Sequence, residues 1–341
     1  MKKSRITIKD LAKQLNISTS TVSRALRDHP EINPKTKKAV LELAQELDYQ
    51  PDLVSLSLLQ KKTNTIGVIV PKMGYHFFSE VMDGIEEVTS AAGYTVLVCQ
   101  TNESVDREIL NTKQLTARRV DGFLISICGE TSNFDHFRYI QKQGIPLVFF
   151  DRECEEMDTS KVLADNYNAI RQAVEHLIDE GCKRIAFMAG PEKLSLSNSR
   201  LQGYTETLEK HGMSTPKELV THCDFSEKDT IRATNKLLEL DKKPDAIIAM
   251  SDRIAYNAMK AIKEKGLRIP EDIAIVGFND EPVDTLINPP LSSIKLSEYQ
   301  IGKQAAEILL REIDAEDELT PEIKMLPTEL IVRESSMKKK R

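Results

Sequence analysis

Two sets of side chains in this 341-residue chain have the types and spacing to recognise other molecules. The first is Ser18, Thr19, Ser20, Thr21, Ser23, Arg24 and Arg27, a compact group of hydroxyls and guanidiniums, with Thr7 and Lys35 on either side. Hydroxyls reach base edges and phosphate oxygens, and guanidinium pairs with guanine or phosphate, so this is the chemistry of a DNA reader. The second set is spread along the chain: Phe77, Phe78, Ser126, Asp151, Arg152, Arg200, Phe225, Ser251, Asn279 and Asp280. Carboxylates, amides and guanidinium hold hydroxyls while an aromatic face takes the apolar side of a ring, which suits a sugar or a similar polar metabolite.

The first set needs helices to present it. Ile8, Leu11, Ala12 and Leu15 fall on one helical face, Thr7 stands as a cap, and Asp10 reaches back to the freed amides. Asn16-Ile17-Ser18 makes a turn, and Val22, Ala25 and Leu26 point back to the core, which leaves Thr19, Ser20, Thr21, Ser23 and Arg24 outward. Residues 6 to 26 therefore read as a helix-turn-helix. A third helix starts at Asn33-Pro34 and turns Ala39, Val40, Leu43, Ala44 and Leu47 inward. Its first turn carries Lys35, Lys37 and Lys38 beside a positive helix end, a crowding that phosphate contact would relieve.

The second set needs strands. Apolar runs at 65–71, 95–100, 122–126, 146–151, 184–189, 246–251 and 273–278 alternate with amphipathic helical stretches. Gly93, Gly144, Gly181, Gly212 and Gly266 each close a helical run, as left-handed caps do. Such repetition means parallel sheets with right-handed crossovers, and this many strands divides better between two sheets than into one. The expected fold is an all-α helix-turn-helix headpiece on an α/β body of two doubly wound parallel-sheet subdomains. Ligands bind such sheets at the carboxyl ends of the strands, where the second set lies.

Composition agrees. The chain is 40% hydrophobic and 29% charged, as a globular protein of more than one domain would be. Residues 1–62 hold 12 Lys and Arg against 7 Asp and Glu, and the rest hold 35 against 46, so a head of net +5 precedes a body of net −11. A basic head on an acidic body suits a phosphate-binding module on a self-soluble body. Five widely spaced cysteines fit neither a disulfide framework nor a zinc site, and point to a reducing cytoplasm. The polar start lacks the apolar stretch of a signal peptide, and no apolar run is long enough to span a bilayer, so a cytoplasmic protein with no membrane partner is expected. Phosphate loops, dinucleotide fingerprints, zinc motifs and nucleophile elbows are absent, so no enzyme activity, cofactor or metal is expected. The acidic run from Asp151 to Glu156 lacks the spacing of a metal loop.

Four stretches carry a specific resemblance: Thr21-Val-Ser-Arg24, Asn33-Pro-Lys-Thr36, Leu47-Asp-Tyr-Gln-Pro51 and Thr65-Ile-Gly-Val-Ile-Val-Pro71. In this order they resemble the LacI/GalR family of bacterial transcription regulators. The resemblance implies a headpiece at 1–50, a hinge helix and linker at 51–62, an effector-binding and dimerisation domain at 63–335 whose chain crosses between subdomains near 163 and 290, and a basic tail at 336–341. It implies a periplasmic-binding-protein-like body in which Asp151, Arg200, Phe225, Ser251 and Asn279 match common effector contacts, Asn279 standing where Asp is frequent. The partners implied are near-palindromic operator DNA, a small sugar-like effector and a second copy of the chain, as a homodimer or a dimer of dimers. The function implied is a repressor of sugar-utilisation genes. A non-regulatory solute-binding protein and a sugar-acting enzyme fused to a DNA-binding head are the other readings, and the basic head and the missing catalytic motifs count against them.

Residues 51–59 form barely two helical turns, too few to hold alone in water. The resemblance implies that they order on DNA, with Ser55 among the DNA contacts and Leu58 wedged into the minor groove, while Asp52, Ser55 and Leu56 depart from the usual hinge residues. Arg200→Ala is expected to abolish effector response and leave the fold intact. Leu58→Ala is expected to weaken specific operator binding far more than nonspecific binding. Fluorescence anisotropy on operator and random duplexes checks this, and equal loss on both would overturn the wedge.

Overall fold

The computed structural model describes residues 6–50, 62–190, 194–223, 226–317 and 319–338. Ser55 and Leu58 of the hinge and Phe225 of the expected effector site lie outside the described residues. The chain separates into two compact units, Met1–Asn64 and Thr65–Arg341.

The first unit holds α1 (Ile8–Leu15), α2 (Thr19–Leu26) and α3 (Pro34–Glu46). A side chain fixes the start of each. The Asp10 carboxylate accepts from the Thr7 amide at 2.8 Å and the Thr7 hydroxyl at 2.7 Å. Ser18 Oγ accepts from the Thr21 amide at 3.0 Å, and Asn33 Oδ1 from the Lys35 amide at 2.9 Å. These bonds satisfy amides that have no partner inside a helix. Asn16, left-handed with φ 52°, ends α1 and lets the chain reverse. Leu11, Ala12, Val22, Ala25 and Val40 then meet in a core ringed by Ile8, Leu15, Leu26, Leu43 and Leu47.

The second unit is built on two six-stranded sheets. The first has the order β11-β5-β4-β3-β1-β2, from β1 (Thr65–Val70), β2 (Thr95–Gln100), β3 (Gly122–Ile125), β4 (Leu147–Phe150), β5 (Lys161–Ala164) and β11 (Ile323–Leu326). The second has the order β12-β10-β9-β8-β6-β7, from β6 (Ile185–Ala189), β7 (Val220–His222), β8 (Ala246–Ala249), β9 (Ala274–Phe278), β10 (Ser292–Lys295) and β12 (Glu329–Ile331). Pairing is parallel within both sheets except for antiparallel β10 and β12. Each sheet repeats the doubly wound order 2-1-3-4-5 with one strand added at an edge. Strands covered by helices on both faces read as continuous apolar runs, and β4 is buried throughout as Leu-Val-Phe-Phe.

Five of these strands, β5, β7, β10, β11 and β12, are each three or four residues long and hold at least one polar side chain, so they do not stand out as apolar runs. β10 is Ser-Ser-Ile-Lys, yet Ser292 and Ser293 are buried. Their hydroxyls donate to the Arg333 carbonyl at 2.8 Å and the Asp252 carboxylate at 2.6 Å, and a buried polar group with a partner loses little. Lys161 opens β5 in the same way, buried against Glu153 at 2.9 Å. The chain passes between the sheets after β5, after β10 and again between Leu326 and Glu329, so each sheet ends in a strand from the far end of the chain.

Helices α4 (His76–Ala91) and α11 (Glu298–Asp314) flank the first sheet and meet backbone to backbone. A Cβ on Gly84 would sit 2.1 Å from the Tyr299 carbonyl oxygen, and one on Gly302 1.9 Å from that of Val81. Gly84→Ala and Gly302→Ala must therefore push the two helices apart, an overpacking loss of about 1–3 kcal/mol each. Urea denaturation should show a lower midpoint for each variant with an unchanged slope.

Candidate functional site: a polar cleft and a helix-turn-helix face

The carboxyl ends of the two sheets face each other across a cleft, the place where doubly wound sheets take their ligands. Tyr75, Phe77, Phe78, Asp151 and Arg152 line it from the ends of β1 and β4. Leu196, Arg200, Met250, Ser251, Arg253, Asn279 and Glu281 line it from beyond β6, β8 and β9. Seven of the residues singled out in sequence thus meet here: Phe77, Phe78, Asp151, Arg152, Arg200, Ser251 and Asn279.

Arg200, on α8 (Ser195–Lys210), is 5% exposed. Its Nε donates to Asn166 Oδ1 at 2.7 Å and its Nη1 to the Met250 carbonyl at 2.7 Å, and its guanidinium lies 3.5 Å over the centre of the Phe278 ring. Burial pulls its pKa down to about 9. The expectation that Arg200→Ala leaves the fold intact therefore needs correction, because removing the guanidinium orphans two buried acceptors and empties a stacked site. Sequence spacing could show that Arg200 reaches the cleft, but not that three elements are tied through it.

Asp151 takes a left-handed conformation, φ 60°, which turns its carboxyl from the end of β4 into the cleft. Burial raises its pKa, opposed by the charges of Arg152 and Arg200 and by a hydrogen bond from Ser126 Oγ at 3.3 Å. Ser126 supports Asp151 and is not a lining residue. Arg152 is held by Glu103, with Nη1 at 2.9 and 3.0 Å from the two carboxylate oxygens, and by the Ile127 carbonyl at 3.2 Å. Ser251 caps α10 (Asp252–Glu264), accepting from the Ile254 amide at 3.4 Å while facing the cleft. Asn279 has φ 115°, and its amide donates to the Ile294 carbonyl at 2.8 Å. Asp280 does not line the cleft: its carboxylate pairs with Arg333 at 2.6 Å.

Tyr75, Leu196, Met250, Arg253, Glu281 and the supporting Glu103 escaped the sequence reading. Tyr75, Arg253 and Glu281 stand one or two residues from positions that it did name. A reading that stops at the first polar residue after a strand passes over them.

In the first unit Thr19, Ser20 and Arg24 are exposed on α2, while Thr21 and Ser23 are half-buried. Ser18 is committed to its cap, within 2.7 Å of Ser20 Oγ and 2.8 Å of Thr21 Oγ1. Arg27 folds back on Ser23, donating to its carbonyl at 3.2 Å and to its hydroxyl at 2.9 Å. Arg24 meets Glu31 at 3.3 Å. Lys37, expected to face phosphate, instead holds the loop after α2 through the Asp28 carboxylate at 2.6 Å, while Lys35 is exposed.

Comparison with known proteins matches both units. Residues 7–52 fit the bacterial regulatory proteins of the lacI family, and residues 63–333 fit the periplasmic binding proteins and sugar binding domain of LacI family. The chain is 33% identical over 330 residues to the ribose operon repressor of Halalkalibacterium halodurans, covering 97% of each protein. It superposes on a lac repressor dimer bound to operator and an anti-inducer with a TM-score of 0.87, at 25% identity, covering 98% of this chain and 100% of that one. It also matches the transcriptional regulator CelR in complex with cellobiose, with a TM-score of 0.74 at 29% identity, covering 97% of this chain and 100% of that one.

Behind the cleft, Asp252 and Asp284 are fully buried. Asp252 accepts from Ser293 Oγ at 2.6 Å and from the Glu281 amide at 3.0 Å. Asp284 accepts from Tyr256 at 2.6 Å, and its other oxygen, 3.7 Å from Arg333, has no hydrogen-bond partner. Burial raises both pKa values, and the charge of Asp252 lifts that of Asp284 further. A carboxyl whose pKa is higher folded than unfolded contributes its full stability below the unfolded value, ~3.9, and loses it as pH climbs to the folded value. Asp284→Asn should therefore gain stability relative to the parent as pH rises from about 5 to about 8. Urea titrations at both pH values check this, and a constant difference would refute it.

Proposed function

The chain belongs to the LacI family of bacterial regulatory proteins and is a DNA-binding transcriptional repressor, and from that premise we propose that a sugar-like effector bound in the cleft governs its hold on DNA. One observation carries the proposal. Asp151 and Arg200 face the same cleft, both largely stripped of water, beside Phe77 and Phe78. A ligand hydroxyl can donate to Asp151 while another accepts from Arg200, and the phenylalanine rings can take the apolar face between the hydroxyls. Arg152, Ser251 and Asn279 complete the set of proposed contacts.

On the DNA side, Thr19, Ser20 and Arg24 are proposed to read base edges, with Thr7, Ser18, Thr21, Ser23, Arg27 and Lys35 at the phosphates and Ser55 and Leu58 supplied by the hinge. Arg24 must then exchange Glu31 for DNA. One helix-turn-helix covers too little DNA for tight specificity, so two copies acting on a near-palindromic site make a homodimer the working unit. Effector and operator are coupled if the lobes take different angles with and without effector, and by linkage each then changes the affinity for the other by the same factor. The proposed location is the cytoplasm, which a DNA-bound role supports. Among the described residues no helix is long and apolar enough to cross a membrane.

The test is a thermal-shift screen of mono- and disaccharides, ribose and cellobiose included, against the full chain and its Asp151→Asn variant. A binding sugar at about 100 times its Kd stabilises the parent by about 2.7 kcal/mol. Asp151→Asn removes a carboxyl that burial disfavours, so the variant should melt at or above the parent without sugar and lose the shift with it. A shift of the same size in both proteins would count against the cleft.

A further inference from the structure

Arg253 belongs to one lobe of the cleft and touches the other. It lies on α10, at the end of β8 in the second sheet. Its Nη2 donates to the Gly74 carbonyl at 2.7 Å, and its guanidinium sits 4.6 Å from the centre of the Tyr75 ring. Gly74 and Tyr75 occupy the loop between β1 and α4 of the first sheet. Glu281, from the loop after β9 and so from the same lobe as Arg253, lies 3.8 Å from its Nε, and the Glu281 amide is itself held by buried Asp252. The arginine is therefore aimed by its own lobe and closes on the other.

We propose that Arg253 is a latch that holds the two lobes together at the mouth of the cleft and so sets how long an effector stays inside. The assignment rests on the reading of the cleft as the effector site and adds that Arg253, one of its lining residues, acts by holding the lobes closed. The chemistry fits a reversible device. The Arg253 side chain is 44% exposed, so water competes for it and the contact stays weak enough to open. It uses a backbone carbonyl and an aromatic face of the loop between β1 and α4. Guanidinium suits both partners at once, because its plane stacks on a ring while its edge donates. Lys72 places a second cation 5.5 Å from the same ring, on the same lobe as Tyr75, where it cannot tie the lobes together. Arg253 thus supplies a link between the lobes that does not depend on the three chain crossings.

Closure of this kind acts on the dissociation rate more than on the association rate, because the ligand must wait for the latch to break before it leaves. The latch also works on the empty protein, where no ligand contact can be confused with it. Hydrogen exchange read by mass spectrometry on the effector-free full chain tests it directly. Arg253→Ala should speed exchange of the amides around Gly74 and Tyr75 by about threefold to tenfold, the loss of one charge-assisted hydrogen bond and one exposed cation–π contact, with exchange in β1 and β9 unchanged. Arg253→Lys should fall between parent and alanine, since it keeps the charge and loses the planar fork. Glu281→Gln, which frees the arginine without removing it, should shift the same amides in the same direction.

Unchanged exchange at the Gly74 segment in Arg253→Ala would overturn the latch, and faster exchange throughout β1 and β9 would reduce it to a general loss of stability. Stopped-flow release of whichever of ribose and cellobiose shifts the parent's melting should be faster in Arg253→Ala by a similar factor, with association little changed. An unchanged release rate would also overturn the proposal. If no sugar of the screen binds, the effector reading fails, while hydrogen exchange still decides whether Arg253 joins the lobes.

Discussion

A guanidinium taken out of water is the constraint on which this body is organised. Arg200 gains no ion pair among the described residues, and its charge is accommodated by Asn166, the Met250 carbonyl and the Phe278 ring. Those three partners come from the start of α7 (Asn166–Asp179), the end of β8 and the end of β9. Holding one cation therefore fixes where three elements end, and their ends are the wall of the cleft. A buried charge without its partners is costly, so the wall is specified and not merely compact.

The opposite wall follows a complementary logic. Asp151 is turned inward by a left-handed residue at the end of β4, and Glu103 pins Arg152 beside it. Both lobes thus bring largely dehydrated charge to the cleft, Asp151 and Arg152 from the end of β4 and Arg200 from α8, and the apolar Phe77 and Phe78 come from the first turn of α4. Two charges that burial penalises in isolation thus face one cleft, where the proposed effector would supply their missing partners. Binding and closure then draw on the same free energy, which is how a small molecule can bias the arrangement of two lobes.

How much of this could be read from the residues depends on where the physics is local. Helix caps are local: Asp10, Ser18 and Asn33 form the contacts that their spacing implies, and the headpiece core is the set of apolar positions at helical period. Long apolar strands are local too, since burial on both faces demands apolar residues throughout. The short edge and polar strands are not. Ser292 and Ser293 are core residues only because Arg333 and Asp252, distant in sequence, meet their hydroxyls. Arg253 stands beside a position that was read, but its contacts with Gly74 and Tyr75 lie on the other lobe.

The sequence by itself determined the helix-turn-helix, the repeated strand and helix order, the uneven charge between head and body, and most of the polar residues of the cleft, because each follows from periodicity, capping or the end of a strand. Tertiary structure alone decided which of those residues are supports and which are walls. Ser126 and Glu103 brace the side chains that line the cleft, Asp280 answers Arg333, Lys37 answers Asp28, and Arg200 joins elements that the chain keeps apart. The physical reason is that a polar side chain is assigned by the partner that replaces its water, and that partner is usually remote in sequence and near only once the sheets have formed.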